Sequence, residues 1–380
     1  MRTLVIVVLL IAAVMLFAAS AMPGPHASTI RVSLLEHARA IEVGGSDLRV
    51  SPVGGCVRCG QPFSVRRTDV IRAVSSPAGV DVEGTVFGRG ARLESERGIR
   101  LNGREYPGAL EILKNGDGLL VVNEVPLEEY VVGSLKAEAA DTWPIEMLRA
   151  QAIIIRTYTL YHRQLNAAKP YHLVASTAHQ QYLGRVPAHS PMWAAARETD
   201  GQVLLLEGQV FPAFYHTDSG GHTEDPRAVF TSPNLPPLRA VRHDFAAGSR
   251  HASWALDVQL TDLAELLRRG GVAVGEIVGL EVTDRSQSLR VAEIAVRGTG
   301  GTVRLRGAEF RRLVGYDTLK STLFAVAVDR ESAHFAGRGW GHGVGLCQWG
   351  AKGMAEQGAT AEEIIAFFYP GTTLTSPSAP

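Results

Sequence analysis

A chain of 380 residues exceeds one ordinary core, so two lobes, or one large domain with an added module, is the natural expectation. Lys+Arg and Asp+Glu number 38 each, which sets the formal charge at zero and removes any bulk electrostatic case for nucleic acid as a partner. Three cysteines are too few for a disulfide framework.

The N-terminal stretch LVIVVLLIAAVMLFAA is apolar and is followed by Ala19-Ser20-Ala21, a small-x-small pattern that a signal peptidase could cut. Residues 1–21 are therefore a signal peptide or, since the run falls just short of the ~18 to 20 residues of a spanning helix, an N-terminal anchor. Both readings put the remainder in an exported, periplasmic or cell-envelope setting, with membrane contact only through that anchor. In this compartment Cys56 and Cys59 of GGCVRCGQ form either a disulfide or a pair of free thiols; the region lacks the second ligand pair a structural zinc needs.

Residues 29–115 read as a β-rich module, with short apolar alternations such as IRVSLLE, VDVEGTVFG and GLLVVNEV broken by Gly, Asn and Pro. The period then changes. Residues 127–135 and 145–165 are predicted helices, the second with Pro144 at its start and Glu146 in its first turn. A mixed stretch follows, with strand-like QVLLLEGQVFPAFYH and turn-rich DSGGHTEDP, before residues 254–330 return to strands and short helices. Near the C-terminus, Thr360 and Glu363 form a capping box ahead of IIAFFY, and Pro370-Gly371 stops that helix. Helices and strands without regular alternation predict an α+β fold.

Several segments carry polar groups suited to a site. The Gly-rich run Gly337 to Gly345 matches no dinucleotide fingerprint, because His342, Val344 or Leu346 stands where the last glycine belongs in each register. It reads as backbone that approaches a ligand closely, with Trp340, His342, Gln348 and Trp349 supplying an aromatic wall and hydrogen bonds suited to a sugar, or else as a tight structural turn. Asp218-Ser219-Gly220-Gly221 with His179 suggests a serine protease, yet about forty residues between His179 and Ser219 are too few for the two-barrel scaffold. His172, His179, His216 and His222 show no metal-ligand spacing. In LKAEAADTWPIEMLRAQA, Glu138 is a lone carboxylate flanked by Ala137, Ala139 and Ala140. Locally it is either a reagent open to a ligand or a helix-start carboxylate, ahead of the helix from Ile145, that the helix dipole stabilises. On the helix from Ile145, Gln151 and Tyr158 share one stripe and Arg149, Arg156 and Arg163 another.

Three stretches, VPLEEYVVGSLKAEAADTWPIEMLRAQAIIIRTYTLYH, YHTDSGGHTE and GRGWGHGVGLCQWGAKGMAEQGATAEEIIAFFYPGT, together resemble the SpoIID/LytB family of stage II sporulation protein D and amidase-enhancer proteins. The resemblance runs from about Ile99 to Thr373 and implies a SpoIID-like catalytic domain over residues 116–373, preceded by the β-rich module. It implies action on peptidoglycan glycan strands, as a lytic transglycosylase cutting between MurNAc and GlcNAc. The alternative is a non-enzymatic enhancer that partners a cell-wall amidase. Aligning Trp143-Pro144 with the family's PSEMPASWP-like segment places its acid at Glu138. A lytic transglycosylase needs one protonated acid, after which the sugar's own 6-hydroxyl closes a 1,6-anhydro ring, so a lone carboxylate suffices. By the same resemblance Arg156, Tyr158, His216, Ser219, His342 and Gln348 line the cleft, and Gln151 packs or positions. The family's Met-Pro after the glutamate is Ala139-Ala140 here, and the zinc that some members hold near VASTAHQQYLG lacks its cysteine in this chain, so neither metal nor cofactor is expected.

Overall fold

The computed structural model describes residues 29–55, 60–65, 70–230 and 235–375. The N-terminal apolar run and the Cys56/Cys59 pair lie outside the described residues. No helix among the described residues is long and apolar enough to cross a membrane.

The fold is mixed α+β, and its first part is two sheets. The first has seven strands, in the order Leu173–Val174, Thr29–Ala38, Gly118–Pro126, Ala109–Asn115, Gly90–Glu94, Leu48–Pro52 and Phe63–Val65. The second has six strands and contains Ala40–Gly45 and Val70–Ser76. Strand Gly118–Pro126 is central, buried on both faces from Leu119 to Asn123, because one face meets the second sheet's side of the core and the other meets helices. The boundary expected at 115/116 falls in the turn of a hairpin whose strands pair through Asn115 and Gly118. Apolar alternation continues through that strand, and the period changes only at Leu127.

Helix α1 (Leu127–Glu138) starts after Pro126 with Glu128 and Glu129 in its first turn, and buries Leu127, Tyr130, Val131 and Leu135 against the sheet. A Cβ at Gly133 would sit 2.4 Å from Cε2 of Tyr182, so this helix approaches its neighbour over a glycine. Helix α2 (Ile145–Leu165) has the predicted bounds and is buried on nearly every side, packed by α1, by α3 (Pro191–Glu198), and by the C-terminal helices. A short helix, α4 (Pro226–Val229), then leads toward an inserted lobe.

That lobe has its own core. Strand Trp254–Gln259 enters it and strand Ser332–Gly337 leaves it, paired antiparallel with Trp254 opposite Gly337. Between them lie α5 (Leu260–Arg269), a three-stranded sheet beginning at Ile277–Arg285, α6 (Gly307–Val314) and strand Phe324–Val328. Leu263, Ile294, Phe310 and Phe335 form its centre, separate from the cluster that runs from Ile30 through Ile154 to Tyr369. The chain returns to the body with α7 (Gln348–Glu356) and α8 (Ala361–Phe368), the latter opened by the predicted capping box of Thr360 and Glu363.

Candidate active site

A cavity of about 820 Å³ lies where the body meets the inserted lobe. That volume is in the range of about 300 to 1,000 Å³ typical of small-ligand sites, and a junction between lobes is a common place for one. The body side is formed by the end of α1, residues 177–181, the segment Phe214–Thr217, the Gly-rich run at Trp340–His342, and Gln348. The lobe side is formed by α6 and the residues just after it.

Glu138 is the last residue of α1, six residues ahead of the Pro144 that precedes α2. It therefore does not occupy a helix start: the Lys-Ala-Glu sequence continues the helix three residues past the predicted end at Leu135. At a C-terminal helix end the backbone carbonyls face the carboxylate, and the dipole opposes its charge. Its side chain is half-buried in the cavity wall. The backbone N–H of Gln181 donates to its Oε1 at 3.1 Å, and the Gln348 amide reaches its Oε2 at 3.5 Å. The Tyr215 hydroxyl, buried and without a partner of ordinary hydrogen-bond geometry, faces the same carboxyl. Burial raises the Glu138 pKa above the usual carboxylate range, outweighing these donors, which act to lower it. The other carboxylates lining the cavity, Glu309 and Asp317, are exposed on the lobe.

The local scaffold explains why Gln181 presents its N–H there. Gln180 is buried, and its side-chain oxygen accepts from the hydroxyls of Tyr130 on α1 at 3.1 Å and Thr159 on α2 at 3.0 Å. The loop is thus pinned to both helices that flank Glu138.

The histidines in the wall are neutral. The Val344 carbonyl can only accept, so the Nδ1 of His216, 3.1 Å away, carries the proton and Nε2 is left as an unpartnered acceptor. Burial pushes its pKa well down, with the neighbouring His342 and Arg290 acting in the same direction. His342 accepts from the Val344 N–H at 3.0 Å through Nδ1, and burial lowers it to about 3. With lowered pKa values, these rings are not the proton donors of a neutral-pH reaction.

Of the residues named from sequence, Glu138, Tyr158, His179, His216, Trp340, His342 and Gln348 line this one cavity, and Trp349 does not. Arg156, Ser219 and Gln151 do not, and each has a physical reason. Arg156 is fully buried and makes a two-pronged ion pair with Glu128 of α1, at 2.8 and 2.7 Å, while donating to the Gln202 carbonyl at 3.0 Å. Ser219 is fully buried and its Oγ lies 2.8 Å from Nε2 of His243, not near His179. That histidine's Nδ1 has no partner, so no carboxylate completes a protease triad. Gln151 is fully buried inside α2.

Of the two readings of the Gly-rich run, the tight structural turn accounts for its glycines, which approach the protein's own chain: Cβ atoms at Gly345 and Gly341 would lie 1.9 Å from the Phe214 carbonyl oxygen and 2.7 Å from the His216 Cβ, and both residues have positive φ. The run thereby brings strand Leu346–Cys347 beside Tyr215–His216 in parallel, sets His342 in the cavity wall and places Gln348 beside Glu138. Cys347 is a buried free thiol that caps α7, accepting from the Gly350 N–H at 3.3 Å.

Metal-ligand groupings of three or more His, Cys, Asp or Glu are absent among the described residues. His172 and His179 each spend Nδ1 on a backbone N–H, of Arg31 at 3.1 Å and Val174 at 3.0 Å.

Tyr215, the Gln181 amide and the lobe wall were not anticipated. Aromatic clustering in FPAFYH, residues 211–216, hints at the first; a backbone donor and a wall from another core leave no mark in sequence pattern.

Residues 115–206 match the family model described as stage II sporulation protein, and residues 238–345, which include the inserted lobe, match a domain of unknown function, DUF8618. The chain is 30% identical over 314 residues to an uncharacterized protein of Brachyspira hyodysenteriae, covering 82% of this chain and 84% of that one. It is 28% identical over 276 residues to stage II sporulation protein D of Bacillus subtilis, covering 68% of this chain and 77% of the relative. Against the amidase enhancer of Bacillus subtilis it is 28% identical over 289 residues, 64% of this chain but only 40% of the relative.

Proposed function

Given that the chain belongs to the SpoIID family of stage II sporulation proteins, we propose that it is a lytic transglycosylase that cuts peptidoglycan glycan strands between MurNAc and GlcNAc, with Glu138 as acid and then base. The observation that carries this reading is a single half-buried carboxyl with a raised pKa in the wall of a sugar-sized cavity, with no second buried carboxylate lining it.

In the proposed cycle, protonated Glu138 gives its proton to the glycosidic oxygen as the bond to C1 of MurNAc breaks, and the bonding pair leaves with that oxygen. The resulting carboxylate takes the proton of the same sugar's 6-hydroxyl while O6 attacks C1, closing the 1,6-anhydro ring and regenerating the acid. No second carboxylate and no water are consumed. Burial keeps Glu138 protonated to a higher pH than an exposed glutamate, which suits the first step; the Gln181 N–H and Gln348 amide stabilise the anion between steps. Neutral His216 and His342 form part of the wall around the bound strand.

The similarity to a protein named amidase enhancer supports a second reading, in which the same cavity holds glycan for a separate wall amidase without cutting it. Turnover separates the two. With peptide-free glycan strands, the native protein should shorten the chains, and Glu138→Gln should retain strand binding while turnover falls by ~10² to 10⁴-fold, the usual cost of losing a general acid. Equal turnover by Glu138→Gln would remove the enzyme reading.

A further inference from the structure

The lobe side of the cavity contains an aromatic ring and a cation that nothing in the body explains. Arg311, in the last turn of α6, is buried; its Nε donates to the Leu319 carbonyl at 2.8 Å and an Nη donates to the Tyr316 carbonyl at 3.1 Å. Its guanidinium carbon stands 4.8 Å over the Tyr316 ring. One face of that ring is backed by a fixed cation, yet Tyr316 is still 44% exposed and lines the cavity. A ring held in place by a cation on one face, with free surface toward the cavity, offers a rigid apolar face on which a sugar's C–H face can stack.

Arg312, the next residue, is exposed, lines the same cavity, and has no ion pair or hydrogen bond among the described residues. Glu309 and Asp317 also line the cavity, but neither lies within ion-pair distance of it. Arg306, nearby, is committed to the carbonyls of Arg227 at 3.2 Å and Ala228 at 3.0 Å, tying the lobe to α4. Of these three arginines lining the cavity, Arg312 is the one without a partner. A guanidinium matches a carboxylate with two parallel, charge-assisted hydrogen bonds.

Resting on the glycan reading above, we propose that the inserted lobe selects the carboxylate-bearing sugar of the strand: Tyr316 stacks on it and Arg312 pairs with its carboxylate. In a strand of alternating GlcNAc and MurNAc, only the latter carries a lactyl ether. Its carboxyl is free once the stem peptide has been removed; on a peptide-bearing strand it is an amide, and the nearest carboxylates belong to the peptide. Both sources present the same group to Arg312.

Binding is measured in a Glu138→Gln background, which stops turnover, with four probes: peptide-free glycan strands, the same strands with lactyl carboxyls capped as amides, peptide-bearing strands, and chitin hexasaccharide, which has no carboxylate. Arg312→Ala should weaken binding of peptide-free strands about 10-fold, in line with a charge-assisted hydrogen-bonded pair, and leave chitin hexasaccharide unchanged. Capping the carboxyls should cause the same loss in the parent and none further in Arg312→Ala. A loss confined to peptide-bearing strands would support the pairing and assign the carboxylate to the stem peptide. Tyr316→Ala should weaken all four probes, and Tyr316→Phe should restore them. Arg312 is exposed and unpartnered, so its variant should melt with the parent. If the parent binds strands and Arg312→Ala binds every probe equally well, the proposal is overturned while the glycan reading stands; if the parent binds no probe, both fall.

Discussion

Glu138 illustrates how one residue's chemistry is set by its place at a helix end. Burial raises its pKa, the C-terminal dipole of α1 acts in the same direction, and the Gln181 N–H and Gln348 amide oppose them by favouring the anion. If Glu138 is the proposed acid it must be protonated to act, so activity should fall as pH rises through this pKa. Removing a donor to the carboxylate makes the charged form less favourable and raises the pKa further. Gln348→Ala should therefore move the alkaline limb of the kcat profile on peptide-free strands to higher pH, modestly because the contact is 3.5 Å long; a limb that moves to lower pH would show that Gln348 does not stabilise the anion. The sequence alone marked Glu138 as a lone carboxylate before a Trp-Pro pair. It gave the dipole the wrong sign, because ending α1 at Leu135 assigns Glu138 to the approach of the next helix, whereas Lys136, Ala137 and Glu138 have good helix propensity and continue α1 to its C-terminal end.

Among the elements, α2 was the easiest to read and the hardest to interpret. Pro144, the acidic first turn and the long apolar pattern fixed its bounds at Ile145 and Leu165. The Arg149, Arg156, Arg163 spacing looks like a solvated stripe, yet Arg156 is fully buried while Arg149 pairs with Glu146 and Glu198 near the surface. A period of seven cannot distinguish them, because α2 is covered on that side by α1 and α3, and this depends on tertiary packing. Arg156 joins α1, through Glu128, to the carbonyls of Gln202 and Ala196 beside α3. Arg156→Ala leaves a carboxylate and two carbonyls without their donor and should destabilise the protein by on the order of 3 kcal/mol, discounted from the fully buried case because Glu128 is partly exposed. Thermal melts should show a clear drop in Tm, with strand affinity per folded molecule unchanged. An unchanged Tm with lost affinity would return Arg156 to the cleft.

At the scale of the molecule, the cavity exists because two cores meet. Alternating patterns over residues 254–330 were enough to predict strands and helices, but strand patterns do not say which strands share a sheet, and so gave no sign of a separate lobe entered at Trp254 and left at Gly337. If that lobe is a cooperative unit of its own, Phe335→Ala, a core truncation that costs about 3–5 kcal/mol, should speed hydrogen exchange across residues 254–337 while the amides of α2 keep their protection; uniform acceleration would show a single unit. On the proposed function the body supplies the acid and the lobe the opposite wall, so a strand would thread between them for Glu138 to reach a glycosidic oxygen. The most direct test is mass spectrometry of the fragments released from purified, peptide-stripped peptidoglycan. Fragments ending in 1,6-anhydroMurNAc, absent with Glu138→Gln, are the expected result, because ring closure by the 6-hydroxyl replaces water; fragments with ordinary reducing ends, or no fragments at all, would contradict it.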